Sequence, residues 1–318
     1  MSVVSPFHNR RSWLPSYLEM LERQTLKDFE VIIVDDGSTD GLAEAIDGTR
    51  TSFPLRYIRL AKNRGANVAR NIGIDASRGR YIALLDSDDS WHPEKLRRHF
   101  EQFEAAHDRD RLVGLSRQIV IGGRPFVRPK LLMGQDDRVG RYLFQLGGVI
   151  QSSTMFLASD LARSTRFAEN ERGHDDWTFA LRLEVVGARF EMLPDALTYY
   201  QDDDRPDRLS PRCAEARLDW LERHREQLGD EAYFAARAAF ASRMRDDAPG
   251  TSLGMITTGL LRGAVPPWRT AYYLAAWAFP SVRKMGVYAK QSWLSRGARG
   301  GANSPKPSSP ISGATRRT

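Results

Sequence analysis

One cysteine, Cys213, stands in the 318 residues. No internal disulfide is therefore available, and a reducing compartment suits the chain. No cysteine or histidine lies near it at metal-ligand spacing, so it reads as an inert thiol. Acidic residues vanish after Asp247: from Ala248 to Thr318 there are ten Lys or Arg and no Asp or Glu. The formal net charge of +7 belongs to that tail, because the first 247 residues carry 37 basic and 40 acidic side chains. A basic, nucleic-acid-binding core is thereby excluded, and no recognised nucleic-acid-reading module accompanies the basic end. Long apolar runs are also missing. The longest, Ala271–Phe279, is less than half of the roughly 20 residues that cross a bilayer. The opening SVVSPF lacks the basic and apolar regions of a signal peptide, and a cytoplasmic chain is the expectation. Internal repeats are absent. What is present is 41% hydrophobic residues, enough for one large core or two joined ones.

The first 110 residues alternate strand and helix signals. Ser2–Pro6, Glu30–Val34, Leu55–Leu60 and Tyr81–Leu85 are short apolar or β-branched runs. EVIIV is continuous, as a parallel strand buried on both faces requires. Between the runs, Leu14, Leu18 and Leu21 share a helical face, Asn67–Ala76 reads as a helix, and Pro93–Glu94 start another with Leu96, Phe100 and Phe103 on one side. This rhythm predicts an α/β fold with a mostly parallel sheet covered by helices on both faces. Such a sheet binds ligands beyond the carboxyl ends of its strands. Further on, Leu112–Ile121, Gln151–Leu157, Arg189–Leu193 and Ala196–Tyr200 read as strands and Thr178–Val186 as a helix. Arg212–Leu228 and Asp230–Asp246 are helical, and the Gly/Ser/Pro-rich end is expected to be disordered. The expected divisions are 1–110, 111–211, a helical extension 212–295 and a basic tail 296–318.

Three acidic stations carry the chemistry. Asp86, Asp88 and Asp89 follow the strand YIALL directly. Their mutual repulsion calls for a cation or strong donors, and a hard divalent ion shares such oxygens with a diphosphate. A helix cap before Pro93 accounts for one of them but not three. Asp35 and Asp36 end the second run in VIIVDDGSTD, on the same sheet edge, where an acid can accept from a ribose hydroxyl or a pyrimidine N–H. Asp175 and Asp176, in GHDDWTFALRL, precede a helix. A carboxylate there can serve as general base on a sugar hydroxyl, or simply favour the helix start. NRGANVARNIG adds Arg64 and Arg70 beside the acidic turns, a side chain suited to phosphate oxygens.

SPFHNR (Ser5–Arg10), VIIVDDGSTD, NRGANVARNIG, YIALLDSDDSW and HDDWTFALRL occur in the order and spacing of family 2 of the inverting glycosyltransferases. The chain resembles that family over residues 2–210, and QDDDRPDRLS at Gln201–Ser210 is similar to its bacterial exopolysaccharide members. The resemblance implies the GT-A fold, a nucleotide-sugar donor (UDP most often) and a saccharide acceptor that is lipid-linked in many relatives. It places Pro6 and His8 against the base, His8 standing where an aromatic residue is usual, and Asp36 on the base or ribose. Asp86 and Asp88 form the DxD pair, with Asp88 and Asp89 holding Mn²⁺ or Mg²⁺. Asp176 matches the catalytic base, with Asp175 and Trp177 on the acceptor side. The family's His or Arg near the diphosphate has no direct match, and Arg205 or Arg208 would substitute. A sugar nucleotidyltransferase would need a Gly-rich loop where SPFHNRRSW stands; a degenerate, scaffolding transferase would have the motifs without turnover. In the basic end, Trp268, Tyr272, Tyr273, Trp277 and Phe279 interleave with Arg262, Arg269, Arg283 and Lys284. That pattern predicts a membrane-surface belt within 253–295, attaching the chain to the cytoplasmic face.

Overall fold

The structure is a computed structural model and describes residues 1–279 apart from 123, 172, 202–213, 243 and 245–248. Arg205, Arg208, Cys213 and the tail 296–318 lie outside the described residues. The order of elements is β1 (Ser2–Phe7), α1 (Leu14–Glu22), β2 (Glu30–Asp35), α2 (Leu42–Asp47), β3 (Leu55–Arg59), α3 (Ala66–Ala76), β4 (Tyr81–Leu84), β5 (Ser90–Trp91) and α4 (Lys95–Ala105). There follow β6 (Leu112–Ile121), β7 (Phe126–Arg128), β8 (Phe156–Ala158), α5 (Ser159–Thr165), α6 (Asp175–Val185) and β9 (Arg189–Gln201). The extension comprises α7 (Ala214–Arg223), α8 (Arg225–Leu228), α9 (Asp230–Ala241), α10 (Pro249–Leu261) and α11 (Pro267–Ala278).

One mixed sheet runs β3-β2-β1-β4-β8-β6-β9-β5, with β7 beside β6. Its first four strands are parallel. Successive side chains of a strand point to opposite faces, and both faces here are covered. Val31 and Ile33 enter one apolar cluster while Ile32 and Val34 enter the other. That is why EVIIV has no polar alternation. α3 lies so close to β1 that a Cβ at Gly73 would overlap Val4. Because β2 and β4 flank β1 on opposite sides, the chain reverses direction across the sheet there, and the loops after β1, β2 and β4 open a crevice.

The sequence and the structure differ in three places. Gln151–Leu157, expected as a strand, is a tight 3-10 turn at Ser152–Thr154 followed by the short β8. Arg189–Leu193 and Ala196–Tyr200 form one strand, β9, whose pairing with β6 shifts register near Arg117. Of the predicted aromatic belt, Tyr272 and Tyr273 are each 8% exposed, Trp268 and Trp277 are partly buried and Phe279 is 61% exposed, while Arg269 is 3% exposed. Arg269 donates to the carbonyls of Phe144 and Gln145, and Trp277 Nε1 donates to Ser252 Oγ at 2.8 Å. Tyr272 and Tyr273 are thus packed inward with the extension's other helices, and the remaining rings keep part of their surface in solvent. Trp220, Tyr233 and Phe234 of the extension join the same apolar cluster as Val34 and Leu84 of the sheet.

Candidate active site

A cleft of about 680 Å³ opens beyond the carboxyl ends of β1, β2 and β4. Pro6, His8, Asp36, Arg70, Asp86, Asp88, Asp89, Asp175, Asp176 and Trp177 all line it. Of the predicted site residues within the described part, these ten reach one cavity and Asp35 and Arg64 do not, although α6 is far from β1 in sequence.

The end of the cleft beside β1 and β2 is built by hydrogen bonds between loops. Phe7 C=O accepts from the Asp36 N–H at 2.7 Å, joining β1 to β2. His8 Nδ1 lies 2.8 Å from the Asp36 carbonyl, which can only accept, so Nδ1 carries the proton and Nε2 keeps its lone pair. Asn9, at φ 52, accepts from the Thr39 N–H at 2.9 Å. The paired acids divide their work. Asp35 is fully buried and accepts from Ser38 N–H at 2.7 Å and Tyr57 hydroxyl at 2.5 Å, a turn-building role. Asp36 faces the cleft, yet its two oxygens accept from the N–H groups of Arg64 at 2.6 Å and Gly65 at 2.8 Å. It therefore shapes the Asn63–Gly65 wall of the cleft.

Arg70, read from sequence as a phosphate ligand, is 5% exposed. Its Nη2 donates to Asp86 Oδ1 at 2.7 Å, and Nη1 donates to Asn67 at 3.1 Å and stands 3.6 Å from Asp175. Its nearest partners are carboxylates, so it ties β4's turn to α6. Asp86 remains partly exposed, as does Asp88, whose carboxylate lies 3.9 Å from Arg10. Asp89 is different. It is 6% exposed, and its Oδ2 accepts from Gln151 at 2.5 Å and Ser153 at 2.6 Å. Burial, then the charges of Asp86 and Asp88, push its carboxyl well above the usual range.

Among the described residues no three His, Cys, Asp or Glu side chains form a cage for a metal. The fit is instead of the kind that small divalent ions accept, one or two carboxylates with the remaining oxygens from phosphate and water. Asp88 is partly exposed to the cleft; Asp89 is engaged inside the fold.

Asp175 and Asp176 open α6, where the helix dipole favours negative charge. Asp176 accepts a hydrogen bond from the Ser152 hydroxyl. Burial above all, and next the charge of Asp86, push its carboxyl up to about 7. Burial also raises Asp175, with Arg70 opposing it. His174, left-handed at φ 56, stacks on Trp177 with centroids 4.5 Å apart. Burial and then the Arg217 and His224 charges push it down to about 4, so it stays neutral.

The Gln151–Thr154 turn is the part that sequence reasoning missed. Besides Ser152 on Asp176, Ser153 Oγ accepts from the Asp86 N–H at 3.0 Å while donating to Asp89. The signal available was four polar residues, QSST, set between the apolar GVI and MFL. Arg10, Arg128 and Tyr200 also line the cleft unforeseen, Arg128 lying 4.6 Å above the Tyr200 ring.

A mixed sheet with acidic turns at the mouth of a nucleotide-type crevice defines a glycosyltransferase of GT-A architecture. The model of "Glycosyl transferase family 2" matches residues 2–164, and the chain belongs to that family. Relatives include the amylovoran biosynthesis glycosyltransferase AmsB of Erwinia amylovora, 35% identical over 208 residues, 63% of this chain and 68% of that one. The putative teichuronic acid biosynthesis glycosyltransferase TuaG of Bacillus subtilis is 36% identical over 102 residues, 32% of this chain and 40% of its own length. Among solved structures, S. aureus TarS 1-349 in complex with UDP-GlcNAc superposes with TM-score 0.62 at 20% identity, over 94% of this chain and 91% of that one. The mannosyltransferase PcManGT of Pyrobaculum calidifontis, in complex with GDP-Man and Mn²⁺, gives 0.57 at 17% identity, over 93% and 85%. These two likenesses speak for the fold.

Proposed function

We propose that this glycosyltransferase moves a sugar from a nucleotide-sugar, a uridine diphosphate sugar first among the candidates, to a saccharide hydroxyl with inversion at the anomeric carbon. The observation that carries the reading is Asp176, raised to about 7 and aimed into the same cleft as Asp86 and Asp88. A base needs a pKa near the working pH and a place within hydrogen-bond reach of the proton it removes. Asp176 takes the acceptor hydroxyl's proton, and the freed oxygen lone pair forms the new bond to the anomeric carbon. The bond to the diphosphate oxygen breaks with its electrons, and the nucleoside diphosphate leaves. Pro6 and His8 flank the base, and the Asp36-shaped wall bounds the ribose. Asp86 and Asp88 face the diphosphate. Asp88 would hold a Mn²⁺ or Mg²⁺ ion, whose charge would offset that developing on the leaving group. Trp177 and Asp175 border the acceptor side.

AmsB and TuaG carry polysaccharide-biosynthesis names, which supports a cell-surface or exopolysaccharide product built on a lipid-linked acceptor. Such an acceptor suits attachment to the cytoplasmic membrane face. Among the described residues no helix is long and apolar enough to cross a membrane. α10 contains no charged residue, and its outer face shows Leu253, Leu260 and Leu261 at 38%, 37% and 85% exposure. That apolar face, not the aromatic residues of α11, is what supports surface binding within 253–295.

The test is a panel of nucleotide-sugars with Mn²⁺, read by mass spectrometry for nucleoside diphosphate and for a glycosylated acceptor. Release of nucleoside diphosphate with an inverted linkage is expected. Pyrophosphate release from a nucleoside triphosphate, or no turnover of any donor, would overturn the reading.

A further inference from the structure

Behind the cleft, a lysine is sealed in the core. Lys95, at the start of α4, has no exposed surface. A buried ammonium is costly unless its donors are all met. Here burial holds the amine well below the ordinary lysine range, and the three groups within hydrogen-bond reach of Nζ are neutral. Nζ lies 3.2 Å from the Thr154 carbonyl, 3.2 Å from Ser116 Oγ and 3.0 Å from His99 Nε2. The direction of the last contact follows from its surroundings. His99 Nδ1 faces Gln102 Oε1 at 3.2 Å, so Nδ1 carries the ring proton and Nε2 accepts. Burial and the lysine's own charge hold His99 well below its ordinary range, in agreement with a neutral ring.

The second contact continues. Ser116 Oγ, accepting from Lys95, stands 3.4 Å from Thr198 Oγ1, which in turn donates to the Ser153 carbonyl at 3.1 Å. The Trp91 indole N–H reaches that same carbonyl at 2.8 Å. One side chain thus grips two successive carbonyls of the Ser152–Thr154 turn, one directly and one through two hydroxyls. On the opposite side of this turn, Ser152 donates to Asp176, and Ser153 binds the Asp86 N–H and the Asp89 carboxylate. An apolar side chain of similar length would fill the space but leave the Thr154 carbonyl and His99 Nε2 without this donor, so loss of stability and loss of positioning have to be told apart by the measurement.

We propose that Lys95 is a positioning residue for glycosyl transfer, acting through the Ser152–Thr154 turn to hold Asp176 in register. It rests on the reading of Asp176 as general base. A misplacement of about 1 Å at a reacting group can cost on the order of 10²-fold in rate. Loss of the grip on Asp176 therefore shows in turnover more than in donor capture, which depends on the loops after β1, β2 and β4.

The experiment compares wild type, Lys95→Met, Ser152→Ala and the double variant, each measured for kcat, for donor KM and for nucleoside diphosphate affinity by calorimetry. Lys95→Met is expected to lower kcat at least about tenfold with the affinity and KM within about twofold of wild type. The double variant is expected to be no slower than the worse single one, since both act on Asp176 by one route. Lys95→Gln, which keeps an N–H for the Thr154 carbonyl, should recover part of kcat. Equal turnover of Lys95→Met and wild type, multiplicative losses in the double variant, or affinity falling in step with kcat would each overturn the proposal. If Lys95→Met does not fold, Lys95→Gln decides by the same criteria. Failure of the general-base reading itself is separable: Asp176→Asn would then retain full turnover whatever Lys95 does.

Discussion

Arg70 holds Asp86 at 2.7 Å and Asp175 at 3.6 Å while its guanidinium stacks 5.1 Å over the ring of Phe167. The fold has thus placed a cation where two acidic turns from separate motifs converge. Replacing Arg70 with Met would leave both carboxylates in a poorly solvated pocket without it. Breaking a buried ion pair from one side costs about 3–5 kcal/mol, and urea unfolding of Arg70→Met is expected to show a loss of that order. Arg70→Lys, with one ammonium in place of a fork, should recover only part, because it cannot address both acids at once. Unchanged stability in both variants would refute the anchoring role.

Asp176 links activity and stability in opposite senses. Asp176→Asn is expected to lower kcat by about 10²–10⁴. In the wild type, kcat/KM should rise with pH along a limb near 7, because the base works only when ionised and its carboxyl is raised to about 7. The sign for stability is the reverse. Between the ordinary carboxylate range and 7 the folded chain binds a proton that the unfolded chain has released, so stability falls as pH rises through that window. Asp176→Asn removes this loss. Thermal melts should therefore favour the variant at pH 8, by about 2–4 °C for each kcal/mol recovered, and the gap should close below pH 4.

Asp36 gives a separate handle on donor binding. Its two oxygens accept from successive backbone N–H groups at Arg64 and Gly65. Asp36→Asn keeps one acceptor and turns an NH₂ toward the other N–H, leaving a donor unmet at a cost of about 1–3 kcal/mol. If Asn63–Gly65 borders the nucleoside, donor KM should rise about tenfold per 1.4 kcal/mol lost with kcat little changed. A loss confined to kcat would remove Asp36 from the donor side.

How far the sequence reached is explained by the range of the interactions involved. β1, β2 and β4 and their acidic turns were legible because their signals are local: Val31–Val34 are each buried, so the apolar run is unbroken. The ties of Arg70 to Asp86 and Asp175 were not legible because charge alone does not reveal its partners. The turn at Ser152–Thr154 was hidden for the same reason, its contacts reaching Asp89 across 64 residues and Asp176 across 24. The α11 aromatic residues looked like an interface pattern because sequence periodicity cannot tell a face turned to lipid from one covered by α9 and α10.

The proposed ion makes a prediction about Asp88. With Asp89 tied to Gln151 and Ser153, the Asp88 carboxylate and the donor's own oxygens would complete the coordination. Chelation is therefore expected to abolish turnover, and Mn²⁺ or Mg²⁺ to restore it. Without nucleotide, titration calorimetry should detect only weak Mn²⁺ binding, tightening when a nucleoside diphosphate is present. Asp88→Asn should erase that tightening and leave the thermal melt near wild type. Full activity in excess chelator would remove the ion from the reaction.

The surface of α10 makes the last prediction. Leu261 is 85% exposed beside Leu260, and the helix Pro249–Leu261 carries no charge to repel an apolar phase. Arg262 follows at once, and basic residues near anionic lipid contribute roughly 1 kcal/mol each. A single carboxylate on this face removes apolar contact and adds repulsion from the same lipid surface. Leu261→Asp should therefore reduce co-sedimentation with vesicles containing phosphatidylglycerol, more strongly at low salt, while leaving turnover of a soluble acceptor unchanged, since residue 261 lies outside the cleft-lining set. Sedimentation equal to wild type would detach α10 from the membrane and leave its apolar face to another partner.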